Sequence, residues 1–266
     1  MLKVELHAHT SLDPADLIPH STRDLIDCAA AQGYGAIAVT LHDRYYDPSD
    51  DLAYARDRRI VLIPGIERTV DGSHVLLLNF PAACAAVTTF EDIRALKARH
   101  PDGLVIAPHL FFPIRSALRS DAARHEDLID AVEVSSMFTA WVNFNRAAVA
   151  WARARRKPLV GTSDLHLLAQ LGTTYTLVDA TPDADAICAA IRSGRVEVRS
   201  TPLPWTRAAA LFAASVVLGL AGRARWLWQP IIGAAKEKGM NKIAKTTWIA
   251  VGILLAIILI AMMATR

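Results

Sequence analysis

Val4-Glu5-Leu6-His7-Ala8-His9-Thr10 is the stretch whose reading decides the fold. Lys3 to Leu6 alternate polar and apolar, the period-2 pattern of a short strand, and that strand runs directly into two histidines spaced i, i+2. Residues two apart on a strand share a face, so both imidazoles can meet one ion. Histidine is the commonest nitrogen ligand of catalytic divalent metals, and a strand end holds it rigidly. A chance His-x-His in a chain with nine histidines is the alternative, so the pair gains meaning only from the rest of the chain.

Working outward, Ser21 caps a predicted helix that ends at Gly33, and Ala36 to Thr40 is an apolar run of the kind a buried parallel strand shows, ending at Leu41-His42-Asp43. The pattern repeats. Ile60 to Ile66 reads as a strand ending at Glu67, and His74 to Phe80 as one beginning at a histidine. Thr88 with Glu91 forms a capping box for a helix down to Arg99, followed by Leu104 to Ala107 and then Pro108-His109. Ala131 to Val134 is a strand carrying Glu133, Asn143 to Arg156 a helix, and Leu159-Val160-Gly161 leads to Ser163-Asp164-Leu165-His166. Thr174 to Val178 is a strand, Pro182 starts a helix to Arg192 behind Thr181, and Val196 to Val198 closes the series. Strands alternating with helices argue for an α/β barrel or a doubly wound sheet. His7, His9, His42, Glu67, His109, Asp164 and His166 all fall at or just beyond predicted strand C-termini, while His74 opens a strand. Catalytic groups of α/β barrels gather at that face, so a barrel accounts for their convergence.

Together these residues resemble the polymerase and histidinol phosphatase family, the PHP domain, over roughly residues 1 to 200. The resemblance is carried by His7-Ala8-His9-Thr10, Thr40-Leu41-His42-Asp43, Pro64-Gly65-Ile66-Glu67, His74, Ala107-Pro108-His109 and Ser163-Asp164-Leu165-His166, in the family's order. It implies a distorted (β/α)7 TIM-like barrel binding two or three divalent ions (zinc, manganese or iron) and hydrolysis of a phosphate ester. The implied metal ligands are His7, His9, His42, Glu67, His74, His109, Asp164 and His166. Asp13 is the counterpart of a further aspartate, one residue short of the family's spacing, with Pro14 at the expected place. Leu41 stands where the family has an aspartate, and Leu110 where it has a proline after the histidine.

Five or six imidazoles with three carboxylates suit borderline-soft ions and disfavour magnesium or calcium, which prefer oxygen shells. Glu67 or Asp164 has two oxygens with which to bridge ions. Ions about 3.5 to 4 Å apart share a hydroxide and stabilise both attacking and leaving oxygens of an in-line displacement. Arg44 and Arg115 are candidates for phosphate contact, Arg68 a weaker one, with solvated surface arginines as the alternative. Asp43 or His20 is positioned in sequence to protonate a leaving oxygen. Glu133 is a supporting or simply buried carboxylate.

The tail differs in composition. From Arg207 onward there are eight Lys or Arg against one acid, leaving 21 basic and 25 acidic residues before it, so the overall net charge of +3 describes neither part. Trp248 to Ala264 is a run of 17 residues without charge, flanked by Lys245 and Arg266, at the lower edge of bilayer-spanning length. The expected organisation is a hydrolase domain over 1–200, an apolar interfacial (or second membrane) helix with a basic loop over 201–247, and a transmembrane helix over 248–264. Residues 1 to 20 have no apolar core of signal length, so the expectation is a single-pass protein of the cytoplasmic membrane with its barrel facing the cytoplasm. Cys28, Cys84 and Cys188 are far apart and read as small hydrophobes in a reducing compartment. The substrate classes are a phosphorylated small molecule, a nucleotide or a phosphoprotein, with membrane lipids as contacts of the basic loop. The acidic first part argues against an extended nucleic-acid surface. The alternative function is a metal-stabilised binding or regulatory module with weak or no catalysis.

Overall fold

The strand read from the opening heptapeptide is β1 (Leu2–Ala8), and it begins a mixed α/β fold. The computed structural model describes residues 1–219. After β1 the order is α1 (Thr22–Ala31), β2 (Ala36–Val39), α2 (Leu52–Asp57), β3 (Val61–Ile63), β4 (Gly65–Val70), β5 (Ser73–Leu78), α3 (Phe90–Arg99), β6 (Leu104–Ala107), α4 (Asp121–Arg124), β7 (Ala131–Ser135), α5 (Asn145–Ala154), β8 (Leu159–Thr162), β9 (Thr174–Val178), α6 (Ala184–Arg192) and β10 (Val196–Ser200).

The expected distorted (β/α)7 barrel is not closed by the ladders. The strands make two five-stranded sheets, ordered β10-β9-β1-β2-β3 and β4-β5-β6-β7-β8. Single parallel bridges join them at their ends, Ala8 with Leu165 and His42 with Glu67. Two local features interrupt the ring. Pro64 divides the single strand expected over Ile60 to Ile66 into β3 and β4, because proline has no N–H to give a ladder. β4, β5 and β6 then run antiparallel, with a two-residue turn at Asp71 and Gly72, whose φ of +83° suits glycine. A helix–strand alternation does not foresee this hairpin. It explains His74: the start of an antiparallel strand lies beside the finish of its neighbours.

The helix starts shift by a residue or two. Thr89 rather than Thr88 caps α3, in a capping box with Asp92, and Asp183 rather than Thr181 caps α6, which starts at Ala184 rather than Pro182. Ser21 caps α1 as its sequence indicates.

The two faces of the sheets pack into separate apolar clusters. Val4, Leu6, Ala36, Ala38, Ile63, Leu76, Leu78, Ile106 and Val160 form one, closed by Ile187, Cys188 and Ile191 of α6. Ala8, Ile37, Val39, Leu25 and Ile26 form another under α1. Val4 and Leu6 thus belong to one side of the sheet and Ala8 to the other, which regular alternation forbids. The pairing explains it: Glu5 faces Ile37 and Ala8 faces Val39, three steps on β1 against two on β2, so β1 carries one extra residue. All three cysteines are free; Cys84 and Cys188 are buried and Cys28 is half-buried.

Met1–Pro14 with Ile18–Ala208 forms one compact unit. Residues 205–219 are helical. No helix among the described residues is long and apolar enough to cross a membrane, and the apolar run Trp248 to Ala264 lies outside them.

Candidate metal centre

His7 near the end of β1 and His9 just beyond it are fully buried, and their Nε2 atoms face each other at 3.3 Å. Around them the expected ligands converge from both sheets: His42 after β2, Glu67 on β4, His74 on β5, His109 after β6, and Asp164 and His166 after β8. Three overlapping groups have donor atoms mutually within 4.8 Å: His9, His42 and His166; His7, His9 and Asp164; His42, Glu67 and His74.

Glu67 is the hub. Its Oε2 lies 3.3 Å from His7 Nε2, 3.4 Å from His9 Nε2 and 3.2 Å from His42 Nε2, while Oε1 lies 2.7 Å from His74 Nδ1 and 3.1 Å from His109 Nε2. Burial alone would raise its pKa; the imidazoles of His7 and His42 and the hydrogen bond to His109 hold it well below the ordinary carboxylate range. Asp164, nearer the solvent, has its Oδ1 3.4 Å from His7 Nε2 and 3.6 Å from His9 Nε2.

Two other carboxylates stand behind the rings and set their tautomers. Asp13 places its Oδ2 at 2.9 Å from His9 Nδ1 and 3.0 Å from His42 Nδ1, and the same oxygen accepts the His42 backbone N–H at 2.9 Å. Glu133 Oε2 lies 3.3 Å from His7 Nδ1 and accepts the His109 N–H at 2.9 Å, while its Oε1 accepts the Thr162 hydroxyl at 2.7 Å. An ionised carboxylate only accepts, so in the neutral rings Nδ1 of His7, His9 and His42 carries the hydrogen and Nε2 turns its lone pair inward. That is the arrangement a cation needs, and the residues fit one: imidazole lone pairs converge on a carboxylate oxygen, Glu67 Oε2, that takes no hydrogen bond.

The two histidines of the opening motif differ electrostatically. Burial would lower the His7 pKa, but Asp164, Glu67 and Glu133 together raise it well above the usual value. Burial lowers that of His9, and the neighbouring His166 and His42 lower it further. His109 (φ +32°) and Asp164 (φ +46°) hold left-handed backbone directly after their strands, a strained conformation of the kind that clusters at functional sites.

The remaining sequence candidates are placed less centrally. Asp43, at φ +50°, turns off the cluster: its carboxylate binds Arg68 Nη1 at 2.7 Å and the Thr69 N–H and hydroxyl at 2.7 and 2.9 Å. Adjacency to His42 in sequence therefore does not become adjacency in space, and Asp43 and Arg68 tie β4 to its neighbouring loop instead. His20 is buried with Nε2 donating to the His9 carbonyl at 2.9 Å, a backbone support. Arg44 donates to the Leu12 carbonyl at 3.0 Å, linking the loops that carry Asp13 and His42. Arg115, in the loop after β6, is exposed. Leu41 is buried among apolar residues under α1, so no carboxylate is lacking in the cluster at that position. Sequence reading passed over Glu5 and Thr162. Glu5 carried a signal, a charge inside an apolar strand; Thr162 carried none.

A family model described as PHP-associated matches residues 142–196. No curated protein matches the chain significantly. Among solved structures, the chain is similar to PsfC from Pseudomonas syringae PB-5123, at 18% identity and a TM-score of 0.60, over 83% of this chain and 98% of that one. It is also similar to a two-domain protein containing a predicted PHP-like metal-dependent phosphoesterase from Bacteroides vulgatus ATCC 8482, at 18% identity and a TM-score of 0.54, over 80% of this chain and 69% of that one. The chain shares the mixed α/β fold of these two proteins.

Proposed function

We propose that the chain is a metal-dependent phosphoesterase whose centre holds two or three zinc, manganese or iron ions on His7, His9, His42, Glu67, His74, His109, Asp164 and His166. The observation that carries this reading is Glu67, a buried carboxylate within 3.4 Å of nitrogens from five histidines. Nitrogen-rich donors around one carboxylate match borderline metals. When bound, such ions activate a water and neutralise charge on the phosphate oxygens. The protein's own part is to orient and to exclude. Asp13 and Glu133 fix the rings, while the fully buried His7 and His9 form a dry floor beneath the part-exposed His42, His74, Asp164 and His166. Arg115, exposed in the loop after β6, is the cation we assign to phosphate oxygens, with Arg44 as a second.

The likeness to a protein containing a predicted PHP-like phosphoesterase and the PHP-associated match support the same reading. We extend it to phosphorylated small molecules, nucleotides or phosphoproteins as substrates. The apolar run at 248–264 motivates a location at the cytoplasmic membrane, which separation of membrane and soluble fractions tests. The deciding experiment is metal analysis of the full chain with a screen of phosphomonoesters and diesters. Bound metal with hydrolysis of at least one class is the expected result. A metal-loaded chain inert to all of them leaves the binding-module alternative in its place.

A further inference from the structure

β1 reaches the metal centre only because it changes parity on the way. With regular alternation His7 and His9 would share the face of Glu5, because the three are two residues apart. The extra residue between Glu5 and Ala8 reverses this, so the imidazoles turn to the Val4 and Leu6 side while Ala8 joins the cluster under α1. A bulge leaves amides that no ladder can satisfy. Here one atom gathers them. Glu5 Oε1 accepts the N–H groups of Leu6 and His7, both at 3.0 Å, and the N–H of Ser163, also at 3.0 Å.

Ser163 stands directly before Asp164, and the chain there continues as the neighbour of β1: the His9 N–H donates to the Leu165 carbonyl at 2.9 Å and the Leu165 N–H to the His7 carbonyl at 3.0 Å. One buried oxygen therefore locks the bulge that aims His7 and His9 to the segment that presents Asp164 and His166. Glu5 Oε2 has no hydrogen-bond partner, so the contacts of the group all run through its accepting oxygen Oε1.

We propose that Glu5 is a positioning residue of the metal centre, setting the direction of His7 and His9 through the bulge and their register against Asp164 through Ser163. This rests on the reading of the cluster as a metal centre. The test uses the full chain, with Zn²⁺ affinity measured by chelator competition and ligand geometry by the visible spectrum of bound Co²⁺. Glu5→Leu, which removes the acceptor, is expected to weaken Zn²⁺ about 10- to 100-fold and alter the Co²⁺ spectrum, the range typical of groups that orient ligands. Glu5→Gln keeps an accepting oxygen and is expected to stay within about threefold of wild type, since a conservative rescue separates aiming from charge. If Glu5→Leu fails to fold, Glu5→Asp decides, because its shorter arm cannot serve all three amides; about tenfold weaker Zn²⁺ is expected. Wild-type affinity and spectrum in Glu5→Leu or, failing that, in Glu5→Asp overturn the proposal, as does a Glu5→Gln loss equal to that of the acceptor-less variant. A wild-type chain that binds neither ion overturns the metal-centre reading itself, a distinguishable outcome.

Discussion

The two ends of the same strands are about equally dry and are held together in opposite ways. At the α6 end, Val4, Leu6, Leu76, Leu78, Ile106 and Val160 have no exposed surface and pack in one apolar cluster. At the other end His7, His9, Glu67, His109 and Glu133 are also buried, at 4% exposure or less, yet every one is ionisable. Burial of apolar area stabilises the first without regard to direction. The second persists only where each donor finds an acceptor in the right place, since an unpaired buried charge costs several kcal/mol. The lesson is that the apolar end supplies the rigidity with which the polar end is aimed.

The largest expected effect comes from removing the hub. Glu67→Ala leaves five imidazoles without their shared carboxylate, and the loss of a metal's Lewis acidity, several kcal/mol, lowers kcat/KM by about 10³-fold or more. Metal stoichiometry measured alongside should fall; retained stoichiometry with retained activity would remove Glu67 from the centre. The matching change at the other end is Leu76→Ala, which should destabilise the chain by about 2 to 5 kcal/mol through the cavity it opens. Zn²⁺ affinity of the folded variant should stay at the wild-type level, and a coupled loss of affinity would break the division between the ends.

Asp13→Asn sharpens the polar side. It keeps the shape but lets an amide N–H point at His9 or His42, so Zn²⁺ affinity should fall about 10- to 100-fold with little change in melting temperature. An unchanged affinity would make Asp13 a bystander, whereas loss of a whole ion would make it a ligand.

The smallest effect belongs to a carboxylate outside both ends. Asp92 caps α3 by accepting the N–H groups of Thr88 and Thr89, both at 2.9 Å, and these bonds bring its pKa down to about 2. The folded value lies below the unfolded one, so the contribution is complete above about pH 4 and is lost as the pH falls through about 2. The melting-temperature gap between wild type and Asp92→Ala should narrow over that window; a constant gap would show the charge to be irrelevant to the cap.

Much of the centre was legible in the sequence, and for a physical reason. Candidate ligands at strand ends come with their own markers: His42, His109 and Asp164 each follow an apolar run, and a strand's end is where period-2 pattern stops, whereas Glu67, expected at a strand end, lies inside β4. The ordered motifs tied them into one set. Asp43 shows the opposite case. Its place after His42 suggested a catalytic acid, but a left-handed φ redirects the chain, and a sequence carries no reliable sign of that for an aspartate. Glu133 was visible as a charge in a strand, while its task, holding His7 from the far sheet across 126 positions, was not.

By itself, then, the amino-acid sequence pointed to the kind of chemistry: which side chains are candidate ligands, that most of them stand near strand ends, and that nitrogen outweighs oxygen among them. Those facts are local, because residue type and periodicity are local. The tertiary structure alone decided that the strands part into two sheets at Pro64, that β5 runs against its neighbours and so delivers His74, and that a bulge gathered on Glu5 turns His7 and His9 inward. Each depends on hydrogen bonds between segments far apart in the chain. The period-2 pattern of Val4 to His9 reads the same with the bulge as without it, and only the partner strand's register shows which way the histidines face.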